Sequence, residues 1–318
     1  MKTLSLKSVL PAVTLIFIML LLVIKPSVYM QATLSGLLLW LNNVLPALFP
    51  FFFFSGLLLK LDVVSKLGNK LEWLTHKLFH CSGGAGLVFL ISIISGYPVG
   101  ARVTSDLYKS KMISQAEVCR INAFGSTSGP LFVVGAVGVG MLHSHVAGII
   151  LLISHYLGAI LNGICYRNYR YTPTKVHKMT LESHNSNLTE AMYSSIISIL
   201  LVGGYIVIFF ILIEMLSNIG FLKLLANLLF FLPSDLVTGF FSGIIEVTTG
   251  CELLSHVSSL FIVPLVCALI SWGGISIHAQ ALTFLSPCGM KSSIFFLQKF
   301  TQSIISFGIC FFFSFCFL

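Results

Sequence analysis

The residues best suited to hold a small polar solute fall at four interruptions of otherwise apolar runs. The first is Ser95-Gly96-Tyr97-Pro98-Val99-Gly100, followed by Arg102. Gly96 and Gly100 accept backbone angles that other residues avoid, while Pro98 lacks an N–H and pushes Tyr97 out of the α region, so a helix cannot pass unaltered. Arg102, one helical turn beyond Pro98, either offers its planar guanidinium to a carboxylate or snorkels to the headgroups. The second interruption, Asn122-Ala-Phe-Gly-Ser126-Thr127-Ser128-Gly129-Pro130, is rich in hydroxyls. Pro130 suits the first turn of the following helix, whose free N–H groups and partial positive charge favour an anion. The third places Glu246 beside Thr248 and Thr249, as a ligand for a coupling cation or proton, or as a carboxylate at the outer membrane surface. The fourth, Trp272-Gly-Gly-Ile-Ser276-Ile-His278, carries a histidine that relays a proton, bonds a solute or packs between helices. This is equipment for binding. No nucleophile–base–acid set and no phosphate loop is visible, so an enzyme is the least favoured class. No cofactor is implied beyond a coupling ion, H+ or Na+.

The elements that must position these residues are membrane helices. Of the 318 residues 57% are hydrophobic and only 9% charged, with a mean hydropathy of +0.99, against about a quarter charged in a soluble domain. A first span over about Val9–Ile24 follows Lys2 and Lys7 and reads as an uncleaved anchor, not a signal peptide. An amphipathic stretch, Val28–Leu41, a second span, Pro46–Leu59, and an amphipathic Lys-dotted helix in the interface, Leu61–His80, come next. Gly84–Ser95 rises only about 18 Å as a helix, well short of the roughly 30 Å hydrocarbon core. It either turns back at mid-membrane or continues to Val103 as one kinked span. Lys60, Lys66, Lys70 and Lys77 before it, and Arg102, Lys109, Lys111 and Arg120 after it, favour a re-entrant hairpin. Further spans cover Ile121–Met141, Val146–Tyr166, Ala191–Ile213, Ile262–Leu285 and Ile294–Phe317, with a second hairpin around Leu236–His256. With a cytoplasmic N-terminus, all but Lys25 and Lys223 of the 18 Lys and Arg lie inside or on the hairpin entered from inside.

A repeat appears at an offset of some 150 residues. Asp62-Val-Val-Ser-Lys-Leu-Gly68 is echoed by Glu214-Met-Leu-Ser-Asn-Ile-Gly220, Ser95-Gly96 by Ser242-Gly243, Phe124-Gly125 by Trp272-Gly273, and Gly140-Met141 by Gly289-Met290. The order is kept and the offsets are nearly constant. Each unit holds an odd number of crossings plus one hairpin, so the repeats are inverted, the arrangement of alternating-access carriers. The expected fold is therefore an all-α polytopic membrane protein of two inverted repeats, each with a re-entrant helical hairpin and a broken helix. The single transmembrane domain divides into an N-terminal part (9–41), a first repeat (44–166), a cytoplasmic loop (167–190) and a second repeat (191–317).

Ser-Gly-Tyr-Pro-Val-Gly-Ala, Asn-Ala-Phe-x-Ser-x-Ser-Gly-Pro-Leu-Phe and Val-Gly-Val-Gly-Met resemble the sporulation integral membrane proteins of the SpoVV (YlbJ) type, which carry a duplicated nucleoside-recognition, or gate, domain. The likeness runs from about Leu38 onward. It implies a role in endospore formation, in the membrane surrounding the forespore, with dipicolinic acid moved from mother cell toward forespore. The alternatives are a nucleoside or other small-solute carrier of the gate-domain type, and a non-transporting membrane partner in a sporulation complex. The expected partners are a small-molecule anion and membrane lipid, with a homo-oligomer or sporulation membrane proteins in addition; the basic 167–178 loop is explained by topology and anionic lipid, not nucleic acid. The eight cysteines lack ligand spacing and read as apolar filler. His143-Ser-His145 lacks the further ligands a metal site requires, so no metal is expected.

Overall fold

A computed structural model describes residues 6–59, 70–171 and 188–318. Among these there is no strand. Four helices are long and apolar enough to cross a membrane (His145–Tyr166, Leu188–Asn218, Ile262–Cys288 and Ser292–Phe317), or up to six if the bent pairs Ala12–Ile24 with Pro26–Val44 and Glu72–Phe79 with Gly83–Ser95 are each one span. The protein is an all-α polytopic membrane protein.

After α1 (Leu6–Ile24) the chain bends by 102° into α2 (Pro26–Leu39). The sequence reading separated an amphipathic stretch from a second span here. The structure instead runs on through a π-wound turn, Trp40–Val44, into α3 (Leu45–Leu59). Leu45 stays in the right-handed helical region, and Pro46 follows directly on the π-wound turn. Both α2 and α3 pack along α10 (Leu188–Asn218). The short α4 (Glu72–Phe79) buries Phe79 and exposes Trp73. The Asp62–Gly68 half of the first repeat pair lies outside the described residues.

The first hairpin is α5 (Gly83–Ser95) and α6 (Val99–Lys109). In a straight helix Ser92 and Gly100 would stand about 12 Å apart along the axis. Here a Cβ on Gly100 would lie 3.1 Å from Ser92 Cβ, so the chain folds back on itself. The turn is made by Gly96, at φ +73° and ψ −166°, a region essentially reserved for glycine, and by a cis Tyr97–Pro98 peptide. The second hairpin, α12 (Ser234–Ile245) and α13 (Val247–Ser255), closes likewise. Gly243 faces Gly250, and Gly239 faces Leu254. The two tips are Gly96 and Glu246, so the match of Ser95-Gly96 with Ser242-Gly243 is out of register.

Each hairpin is followed by a broken helix. In the first half, α7 (Gln115–Gly125) starts at a capping box between Ser114 and Glu117. It stops before the extended Ser126–Gly129 stretch and resumes as the π-wound α8 (Leu131–Met141). In the second, α14 (Ile262–Trp272) and α15 (Gly274–Leu285) are separated by Gly273 and Gly274, both at positive φ. Then come α9 (His145–Tyr166) and α16 (Ser292–Phe317). The helix α11 (Phe221–Leu228) is the counterpart of α4.

Packing between the halves is reciprocal. The returning arm α6 lies on α15, and the returning arm α13 lies on α8; α9 packs on α14, and α16 on α7. The equivalent helices α9 and α16 meet with Asn162 near Gln298 and Thr301, and Gly158 against Ser306. Rising numbers on one helix meet falling numbers on the other, so they are antiparallel. Equivalent elements running in opposite directions make the two repeats inverted.

Candidate functional site

All four interruptions meet at one cavity of about 60 Å³, room for a few water-sized groups. Ser95, Gly96 and Tyr97 come to it from the first hairpin, and Ser128, Gly129 and Phe132 from the first broken helix. Glu246, Val247 and Thr248 come from the second hairpin, and Ser276, Ile277 and Gln280 from α15. Val44 and Leu48, with Val202, Tyr205 and Ile206 of α10, close the remaining side. Each hairpin tip touches the break of its own repeat at backbone distance. A Cβ on Gly96 would lie 2.6 Å from the Gly129 nitrogen, and one on Gly274 3.0 Å from the Val247 nitrogen.

Eight of the residues singled out by sequence line this cavity: Ser95, Gly96, Tyr97, Ser128, Gly129, Glu246, Thr248 and Ser276. Ser95 is buried and its hydroxyl has no partner. Glu246 is 2% exposed and caps α13. Its carboxylate accepts from the N–H groups of Thr248 (3.0 Å) and Thr249 (2.6 Å) and from Thr249 Oγ1 (2.8 Å). It is buried by the neighbouring helices and does not sit at an outer surface.

The other eight stand behind the wall or away from it. Pro98 begins the returning arm. Gly100 makes room for the Gly125 carbonyl and Ser92, and Asn122 donates to Gln298 Oε1 at 2.9 Å. Ser126 offers its carbonyl to Lys299, and Thr127 is held by Ser92 Oγ through both its N–H and its hydroxyl. Thr249 faces the opposite side of the second hairpin. His278 donates Nε2–H to the Trp272 carbonyl at 2.6 Å, satisfying a backbone acceptor that the Gly273–Gly274 break frees, while its Nδ1 is unpartnered. Arg102, one turn down the returning arm, is exposed and lines no part of the cavity. Several backbone N–H groups at the breaks already have partners within the protein. The Ser128 N–H donates to His155 Nε2 at 2.9 Å, and those of Thr248 and Thr249 are taken by Glu246.

Lys299 and His155 were missed from sequence. Lys299 is 1% exposed, and its Nζ donates to Tyr97 Oη (2.7 Å), the Ser126 carbonyl (2.9 Å) and Gln302 Oε1 (2.7 Å). Three neutral oxygens receive its three ammonium hydrogens, and none belongs to a carboxylate. The ammonium also sits 5.0 Å from the centre of the Tyr97 ring. His155 is wholly buried. Because its Nε2 accepts from Ser128, its proton is on Nδ1, which donates to Ser271 Oγ at 2.8 Å. Ser271 belongs to the second repeat's broken helix, so this ring joins the two breaks. Both residues were visible as ionisable groups within predicted spans, the feature that marks function inside a membrane. Ser92 was not marked by any comparable signal. Its hydroxyl bonds the Gly125 carbonyl at 2.6 Å as well as Thr127.

The arrangement is a cavity lined by apolar side chains and a few hydroxyls, with a carboxylate in its wall and a buried ammonium behind one of its phenols. Among curated proteins, this chain is similar to the sporulation integral membrane protein YlbJ of Bacillus subtilis (strain 168). The two are 31% identical over 309 residues, covering 88% of this chain and 76% of that protein. No protein-family model and no solved structure matches.

Proposed function

The chain belongs to the family of the sporulation integral membrane protein YlbJ, and from that premise we propose that it is a secondary carrier of a small organic anion in sporulating cells. The substrate that the family resemblance favours is dipicolinate, moved from mother cell toward forespore across a membrane surrounding the forespore. The observation that carries this reading is the meeting of four helix breaks at one buried cavity between inverted repeats. Backbone interrupted at membrane depth is tolerated only where protein or a polar cavity satisfies it, and alternating access uses such a site. A membrane partner without transport has no need of it.

Two opposite charges bear on an anion in the cavity. Lys299 is the cation in contact with its wall, through Tyr97, and its partners are neutral. Glu246 opposes it. Two like unit charges about 5 Å apart at an effective dielectric of about 20 repel by about 3 kcal/mol, so an anion and an uncompensated Glu246 do not share the cavity comfortably. Lys299 offsets part of that repulsion, and a cation on Glu246 would offset more.

The test is uptake of labelled dipicolinate into liposomes containing only this protein, with a labelled nucleoside in parallel. Saturable dipicolinate uptake supports the reading. Nucleoside uptake alone replaces the substrate, and folded protein that moves neither is a partner without transport.

A further inference from the structure

A second, larger cavity of about 580 Å³ lies among α10, the α12–α13 hairpin and the Trp40–Val44 turn. Asn42, Asn43, Glu214 and Glu252 stand in its wall, with Ser242 and Thr249. Ser242 is wholly buried, and its hydroxyl has no partner. Thr249 Oγ1 is bonded at 2.8 Å to Glu246 Oε2, and Glu246 lines the central cavity. One hydrogen-bonded pair therefore stands between the two cavities.

The wall of this second cavity contains two carboxylates and no lysine or arginine. Among the described residues, two bases stand near its carboxylates at the periphery. Lys25 reaches Asn218 at 3.4 Å, Asn218 in turn donates to Glu214 Oε1 at 2.8 Å, and His256 is 3.6 Å from Glu252. Deeper in, Glu246 is held by two backbone N–H groups and a hydroxyl, with no cationic side chain among its partners. A dicarboxylate is repelled along such a wall, whereas a small cation is drawn in. The donors along the way are hydroxyl, amide and carboxylate oxygens, the ligand set of a hard cation.

We propose that the second cavity is the entry for a sodium-sized monovalent cation that docks on Glu246, beside Ser242 and Thr249. The role of that ion, sharing the central cavity with an anion, rests on the carrier reading; the path and the site do not. A cation on Glu246 removes the like charge that a bound carboxylate would otherwise meet.

The experiment needs no transported substrate, so its failure is separate from failure of the carrier reading. Protein in nanodiscs, with the exposed Cys165 and Cys316 replaced by serine, carries either Thr238→Cys, in the same cavity wall, or Ser242→Cys. Each is reacted with trimethylammonioethyl and sulfonatoethyl thiosulfonates, and rates are normalised to a small thiol in solution. Both positions should react, with the cationic reagent favoured by about ten-fold or more, and this preference should shrink with Glu214→Gln and Glu252→Gln together. Sodium, compared with choline at equal ionic strength, should slow the Ser242→Cys reaction several-fold, and Glu246→Gln should abolish that protection. No reaction at Ser242→Cys with either reagent, or equal normalised rates for the two, overturns the path. Protection by choline equal to that by sodium, or protection that survives Glu246→Gln, overturns the site.

Discussion

Gly96→Ala separates the cost of a backbone angle from the cost of a close approach, because Gly220 provides a control. Gly220 has φ +79° and ψ 9°, with open space where a Cβ would go, so Gly220→Ala should cost only the left-handed conformation, about 1–2 kcal/mol. Gly96 has φ +73° and ψ −166°, where a non-glycine residue costs about 1–3 kcal/mol. Its Cβ would also lie 2.6 Å from the Gly129 nitrogen, and relieving such an overlap in a packed interior costs a further 1–3 kcal/mol or so. The expected loss is thus about 2–6 kcal/mol, and it parts the hairpin tip from the first broken helix. Thermal or denaturant unfolding in nanodiscs, with dipicolinate uptake measured on the same preparations, should show Gly96→Ala clearly the less stable and inactive, and Gly220→Ala active. Equal destabilisation of the two would refute the idea that contact between the tip and Gly129 builds the site.

If Lys299 supplies the anion's opposite charge, unit charges about 8 Å apart at an effective dielectric of about 20 attract by ~2 kcal/mol, so Lys299→Met should weaken dipicolinate binding roughly thirty-fold. Arg102→Gln should leave affinity unchanged at equal membrane abundance, and the opposite pattern would return the charge to Arg102. For topology, cysteines placed at Lys70 and Lys111, on either side of the folded-back first hairpin, should be labelled from the same side of the membrane; labelling from opposite sides would contradict the hairpin.

Glycine and proline made the breaks legible. Gly96 with Pro98, and Gly273 with Gly274, are local signals whose conformational effects need no tertiary information. The antiparallel packing of α9 on α16 follows from the odd number of crossings between repeats, again a property of sequence order. What sequence order does not contain is the rotation of a helix about its own axis. Arg102 and Ser95 are both near the first tip, yet one is exposed and the other lines the cavity. Nor did spacing show that Glu246 would consume the N–H groups of its own helix, or that Ser128 would give its N–H to a histidine on another. Lys299 was legible in principle, since a lysine in an apolar span needs a reason, but its three oxygen partners come from Tyr97, Ser126 and Gln302, and only the first two lie in the recognised motifs.

The His155 ring has one partner on each nitrogen, Ser128 from one repeat and Ser271 from the other, and its side chain is wholly buried. Parting the two broken helices breaks one of these bonds, and a group that stays buried without its partner costs about 1–3 kcal/mol. That penalty falls on partly separated arrangements and vanishes once a new set of partners forms. In a carrier that cycles as proposed, the contact acts as a latch, which makes the movement between the two ends of the cycle concerted and keeps half-open, leaking arrangements short-lived.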